Sequence, residues 1–150
     1  MKWYELYAKF ARKVGLSRMI YDREDNQPYL ERFYLLPRWL FLGRGRLVIH
    51  RFWKSDDDGG LHDHPWKWWS YILEGGYIEV LPDGAMPRGP GTWSGWRKPD
   101  DLHRVKLFKE GEPVWTLFFM GKHKKDWGFV PNGTHSWIPW QEYLAGKKRI

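Results

Sequence analysis

From residue 46 onward the chain is a succession of short runs rich in β-branched and aromatic residues: "RLVIHRFW", "WKWWSYIL", "GYIEVL", "HRVKLF" and "PVWTLFFM". Clusters of Gly, Pro and Asp separate them, so each run reads as a strand. Several closely spaced strands must bury their apolar faces against one another, and they do so as a sandwich or a barrel. The stretch "ILEGGYIEV" predicts a tight hairpin that turns on Glu74, Gly75 and Gly76.

Upstream of the strands, Trp3, Leu6, Tyr7, Phe10 and Val14 recur at helical spacing, with Lys2, Glu5, Lys9, Arg12 and Lys13 on the other side and Gly15 as a stop. This predicts an amphipathic helix whose aromatic stripe packs on the main body rather than on a membrane surface. The following "YDREDNQPYLERFYLLPRWLFLGRGR" is broken by Pro28, Pro37, Gly43 and Gly45 and reads as short strands and turns. The tail "SWIPWQEYLAGKKRI" predicts one helical turn over 140–145 before a basic end. With 150 residues and no internal repeat or linker composition, the expectation is one domain over 1–150, with its helix within 1–20 and its barrel core over 45–120.

Cys is absent, so thiolate ligation, disulfides and a Cys nucleophile are excluded, and any metal must be held by N and O donors. The N-terminus is interrupted by charge every few residues and carries neither an apolar signal core nor a membrane span, which leads us to expect a soluble, cytoplasmic protein with no membrane partner. The net charge of +7 divides as +7 over residues 1–54, −4 over 55–100 and +4 over 101–150. That basic excess is dispersed apart from "KHKK" and "KKR", so nucleic-acid binding ranks below binding of a small molecule; a homodimer is left open. The 12 Trp could stack on bases or sugars, but most are expected in the core. No Ser-His-Asp arrangement, phosphate-cradling loop or dinucleotide fingerprint is present.

The acidic middle segment contains "LHDHPWKWW". On a strand, His62 and His64 project to one face, where two imidazoles can converge on one point. That is metal-ligand chemistry, although an H-x-H pair alone is weak. A usable catalytic metal generally has three protein ligands and an open position. His103, at the head of a strand whose Val105 and Leu107 share its face, supplies the third.

The order H-x-H, strand, Gly-Gly, strand, Pro/Gly-rich loop, then His resembles the cupin superfamily. The first motif of that family runs Gly, H-x-H, Glu, Gly, and its second contains Pro-x-Gly-x-x-His. The matching residues are Gly59 or Gly60, His62, His64, Gly75-Gly76 and His103, over roughly residues 45–120. The resemblance implies a mainly β fold, a cupin-type double-stranded β-helix or jelly-roll barrel, with its metal inside. The chain departs from the pattern where Trp68 and Trp69 stand in place of the Glu ligand and Asp100 in place of the second-motif Gly. A three-histidine site is similar to that of the thiol dioxygenases, which bind Fe(II) without a carboxylate; the absence of Cys excludes the cysteine-tyrosine crosslink of some of them. "HRFWKSDDDGGLHDHPW" also resembles a group of small bacterial and phage cupin-like proteins with H-R-F, S-D and H-D-H-P-W in that order.

The implied cofactor is one divalent transition metal, Fe first, with Mn, Ni and Zn as alternatives. A divalent ion on three neutral imidazoles keeps its full charge and an open face, which favours an anionic ligand and a dioxygenase-like activity. The alternative is a non-catalytic module that binds a sugar, nucleotide or peptide with a structural metal or none. Trp66 and Trp68 share the alternation of the histidine pair and, with His50 and Val105, are expected to line the pocket. Trp68 could instead close it. Arg51, Arg97 and Arg104 are the candidates to orient a substrate carboxylate. Asp63 is expected to point outward, and Asp56 to Asp58 to form a solvated turn, with support of a ligand imidazole as the sharper alternative.

Overall fold

The computed structural model describes residues 1–35 and 42–147. Pro37 and the last basic residues, 148 and 149, lie outside them. Helix α1 (Trp3–Lys13) is followed by β1 (Ser17–Tyr21), β2 (Pro28–Tyr34), β3 (Gly45–Phe52), β4 (Gly60–His62), β5 (Trp68–Glu74) and β6 (Tyr77–Leu81). After these come β7 (Gly84–Arg88), β8 (Arg104–Leu107), β9 (Val114–Gly121), β10 (Gly128–Pro131), β11 (Ile138–Pro139) and α2 (Trp140–Lys147). Pairing is antiparallel throughout, in a five-stranded sheet β1-β2-β3-β9-β5 and two three-stranded sheets, β11-β10-β4 and β7-β6-β8. Among the described residues, no helix is long and apolar enough to cross a membrane. Strands also come from residues 17–34 and 128–139, outside the 45–120 segment expected to hold the barrel core.

Alternation along the strands of the large sheet decides its two faces. One face carries Phe33, Ile49 and Trp115, which form a buried cluster with Tyr4, Ala8 and Ala11 of α1. The other carries Val48, Trp68 and Phe118, buried together, and continues into Ile72, Val105, Leu107 and Val114. A cavity of about 440 Å³ opens on this second face.

The Gly75-Gly76 segment is not a hairpin: β5 pairs with β9, whereas β6 pairs with β7 and β8, so the chain passes at this point from one sheet to another. Gly75 takes φ +72°, and a Cβ on Gly76 would sit 2.6 Å from the Arg88 carbonyl oxygen, so both glycines are required by the corner. The helix also docks on another face than the aromatic stripe suggested. Trp3, Leu6, Phe10 and Val14 are each more than half exposed, and Tyr4, Ala8 and Ala11 face the sheet. Small side chains let the helix approach the bulky Phe33 and Trp115, and the bidentate Arg12–Glu31 pair (2.8 Å for both bonds) and the Tyr4–Glu74 hydrogen bond (2.6 Å) fix its rotation. Only Tyr7 of the predicted stripe packs against the cluster. Ala11→Leu is therefore expected to cost about 1–3 kcal/mol by overpacking, and Phe10→Ser to stay within about 0.5 kcal/mol, both by urea unfolding. The reverse order would support the aromatic stripe as the buried face.

Candidate metal centre

His62 ends β4, His64 lies two residues on, and His103 immediately precedes β8. A backbone bridge joins His62 to His103, with His62 N donating to His103 O at 2.9 Å and His103 N to His62 O at 3.0 Å. A further backbone bond, His64 N to Pro99 O at 3.0 Å, fixes the other end of the H-D-H segment. One potential ligand atom from each of the three imidazoles lies within 4.8 Å of the other two, and His64 Nε2 faces His103 Nε2 at 3.0 Å. Imidazole nitrogens bound to one ion at its usual 2.0–2.1 Å stand roughly 3–3.4 Å apart. The His64–His103 pair already stands at that spacing, and the donor chemistry of the set suits a single transition-metal ion.

Electrostatics keep the donors ready. Burial, only partly opposed by Asp56, pushes His62 down to about 4, and burial with the neighbouring imidazoles holds His64 well below the ordinary imidazole range. Both are neutral at pH 7, with lone pairs available. His103 Nδ1 is 3.1 Å from Glu79 Oε1, a carboxylate–histidine contact that fixes the tautomer and turns Nε2 toward the centre. The other oxygen, Glu79 Oε2, accepts from Arg88 Nε and Arg97 Nη2, each at 3.0 Å. Burial opposes ionisation of Glu79, but His103, Arg97 and Arg88 outweigh it and bring its pKa down to about 2.

The tryptophans stand where alternation put them. Trp68 is buried, stacks on Phe118 with centroids 5.5 Å apart, and its ring lies 4.7 Å from that of His103 and 5.0 Å from that of His64. It does not close the site: the cavity beside it is lined by Trp66, Trp68, His50 and Val105 together with the three histidines. His50 stacks on Phe118 at 4.7 Å, stays outside the three-histidine cluster, and is held well below the ordinary imidazole range by burial and then by Arg32. His123 and His135 are exposed.

The arginines are elsewhere than expected. Arg51 alternates away from His50 and stacks on Trp53 at 3.8 Å, Arg97 is committed to Glu79, and Arg104 donates to the Asp58 carbonyl at 2.7 Å. None of them lines the cavity, whose arginines among the described residues are Arg18, Arg23 and Arg32. Asp63 does point away from the histidines but not into solvent: it is 2% exposed and accepts from Gly128 N (2.8 Å), Trp137 Nε1 (2.9 Å) and Lys125 Nζ (2.5 Å). Those bonds tie the H-D-H segment to β10. Asp56 is likewise no solvated turn residue, since it accepts from Val105 N at 2.7 Å and from the Tyr29 hydroxyl and lies 3.8 Å from His62 Nδ1. Asp57 and Asp58 are exposed as expected. Glu79 and Arg32 were not singled out from the sequence. Their signal would have been a charged residue at an inward position between apolar ones, Tyr77-x-Glu79-x-Leu81 and Leu30-x-Arg32-x-Tyr34, readable only once the strand faces are assigned.

No protein-family model and no curated protein matches the chain. Solved structures do. The polyketide cyclase RemF from Streptomyces resistomycificus aligns at 20% identity and TM-score 0.54 over 76% of this chain and 78% of that one. A predicted oxalate decarboxylase from Thermotoga maritima aligns at 16% and 0.55 over 71% and 91%. A cupin-like protein from the same organism aligns at 11% and 0.53 over 71% and 79%. The chain has the cupin fold, a jelly roll of antiparallel sheets with an N-terminal helix on its outer face.

Proposed function

We propose that this chain is a metal-dependent oxidoreductase of dioxygenase type, with Fe(II) held by His62, His64 and His103 and a small anionic substrate in the adjoining cavity. The convergence of the three imidazoles at the base of an aromatic-walled cavity of about 440 Å³ carries the reading. Its volume falls in the range of small-molecule sites. Bound there, Fe(II) would supply the redox chemistry toward dioxygen that no side chain of this protein can supply.

The residues do the rest. Glu79 holds His103 in the tautomer that presents Nε2, and Arg88 and Arg97 keep that carboxylate ionised and oriented. Trp68 takes the position of a fourth, anionic ligand without offering a donor lone pair, which leaves a coordination face for substrate. Trp66, Trp68 and Phe118 present an apolar wall that restricts water beside the reacting groups. Neighbours of the same fold include a polyketide cyclase and a predicted oxalate decarboxylase, names that belong to enzymes of small organic molecules.

The test is a panel of small thiols and carboxylic acids added anaerobically to the Fe(II)-loaded protein, followed by dioxygen. Substrate-dependent oxygen uptake that falls to background in His103→Ala is expected. If no compound perturbs the metal spectrum and no uptake occurs, the cavity serves a non-catalytic binding module instead.

A further inference from the structure

One wall of the cavity contains a charge that no group among the described residues neutralises. Arg32 sits on β2 between Leu30 and Tyr34, on the face opposite Glu31 and Phe33, and lines the cavity. Its Nε is buried without a hydrogen-bond partner, and it enters no ion pair among the described residues. The strongest influences on it besides burial are Tyr34 and a second cation, Arg18. The carboxylates that border the same cavity are engaged elsewhere. Asp22 pairs with Lys54 and Glu24 with Lys147; Asp56 accepts from Val105 and Tyr29, and Asp57 accepts from Tyr143 at 2.8 Å and from Lys147.

Arg32 has company of the same kind. The indole Nε1 of Trp66 and of Trp68 and the Nε2 of His50 are buried without partners, and all three residues line the cavity. Indole N–H groups only donate, and an arginine remains cationic at any working pH. A desolvated cation without a counter-ion is costly, and so is a buried donor without an acceptor. An anion whose oxygens accept from the guanidinium and the two indoles would offset both costs at once.

We propose that Arg32 anchors the acidic group of the ligand, in a subsite on the wall of the cavity, and that the ligand is a small carboxylic acid. A planar guanidinium matches a carboxylate in two parallel bonds. A carboxylate rather than a phosphate is assigned because a dianion in this aromatic surrounding would require a second buried cation, and Arg18 is exposed. The inference deepens the small-molecule reading of the cavity and rests on it. It needs no metal, so its failure is separable from failure of the metal site.

The test uses metal-free protein in chelator, with benzoate and 3-methylbutanoate, their neutral amides, and phenyl phosphate as probes, followed by tryptophan fluorescence and calorimetry. At least one acid should bind more tightly than its amide. Arg32→Gln should lose that preference, with acid affinity falling about tenfold or more, while Arg51→Gln on the outer face binds like the parent chain. Melting provides a second readout: because Arg32→Gln removes an unpaired, half-buried charge, its Tm should stay unchanged or rise by a few degrees. The proposal is overturned if neither acid binds better than its amide, if Arg32→Gln keeps the preference, or if its Tm drops sharply, which would make Arg32 a structural residue. Phenyl phosphate binding more tightly than both acids overturns the carboxylate assignment.

Discussion

Glu79→Gln is expected to destabilise the protein by about 3 kcal/mol or more and to weaken metal binding by about 10–100-fold. Glu79 is 2% exposed and stands between two arginines and a histidine. The neutral amide keeps the shape but leaves two guanidinium groups facing no negative charge, and it relaxes the bond that orients His103. The acid side gives an independent measure of the same group. With a pKa of about 2 against an ordinary 4.5, the folded state prefers the ionised carboxylate. The difference is worth about 3 kcal/mol at neutral pH. That contribution is fully present above pH 4.5 and is lost as pH falls through 2. Urea unfolding of the two proteins should therefore show a gap at pH 7 that shrinks to less than about half by pH 3. A gap that does not change with pH would mean that the charge of Glu79 is not what stabilises the fold.

The five strand runs read from the sequence are all strands in the fold, displaced by no more than two residues at either end. They were legible because inward positions are apolar and Gly, Pro and Asp mark the ends. Their partners were not. Gly75-Gly76 has hairpin composition, but whether two successive strands pair depends on what else competes for their edges, and β9 and β8 begin more than twenty residues beyond the ends of β5 and β6, which they join. The helix was legible as a helix, and its docked face was not. Periodicity identified the bulkier stripe, whereas close packing on Phe33 and Trp115 selected the side with Ala8 and Ala11.

The site divides in the same way. Three histidines announce themselves through a local H-x-H and one later His. The groups that support them act from neighbouring strands: Glu79 reaches His103 from β6, and Asp56 approaches His62 from the loop before β4. Sequence proximity suggested Arg51, Arg97 and Arg104, each next to or near a histidine or its strand, whereas the unpaired arginine on the cavity wall is Arg32, which pairs with His50 across β2 and β3. Arg51 could have been excluded, since it alternates away from His50 on the same strand.

Binding of one transition-metal ion by His62, His64 and His103 is open to a direct test. Single His→Ala changes remove one of three donors and should weaken binding by more than the roughly 100-fold upper cost of disturbing a supporting residue. The triple change removes the site. The direct measurement is elemental analysis of protein purified without chelators, parent chain beside the triple His62→Ala, His64→Ala, His103→Ala variant, with circular dichroism to verify that both are folded. Close to one equivalent of metal per chain in the parent and a background amount in the folded triple variant is the expected result. Equal metal in both, or none in the parent even after anaerobic loading with Fe(II), would contradict it.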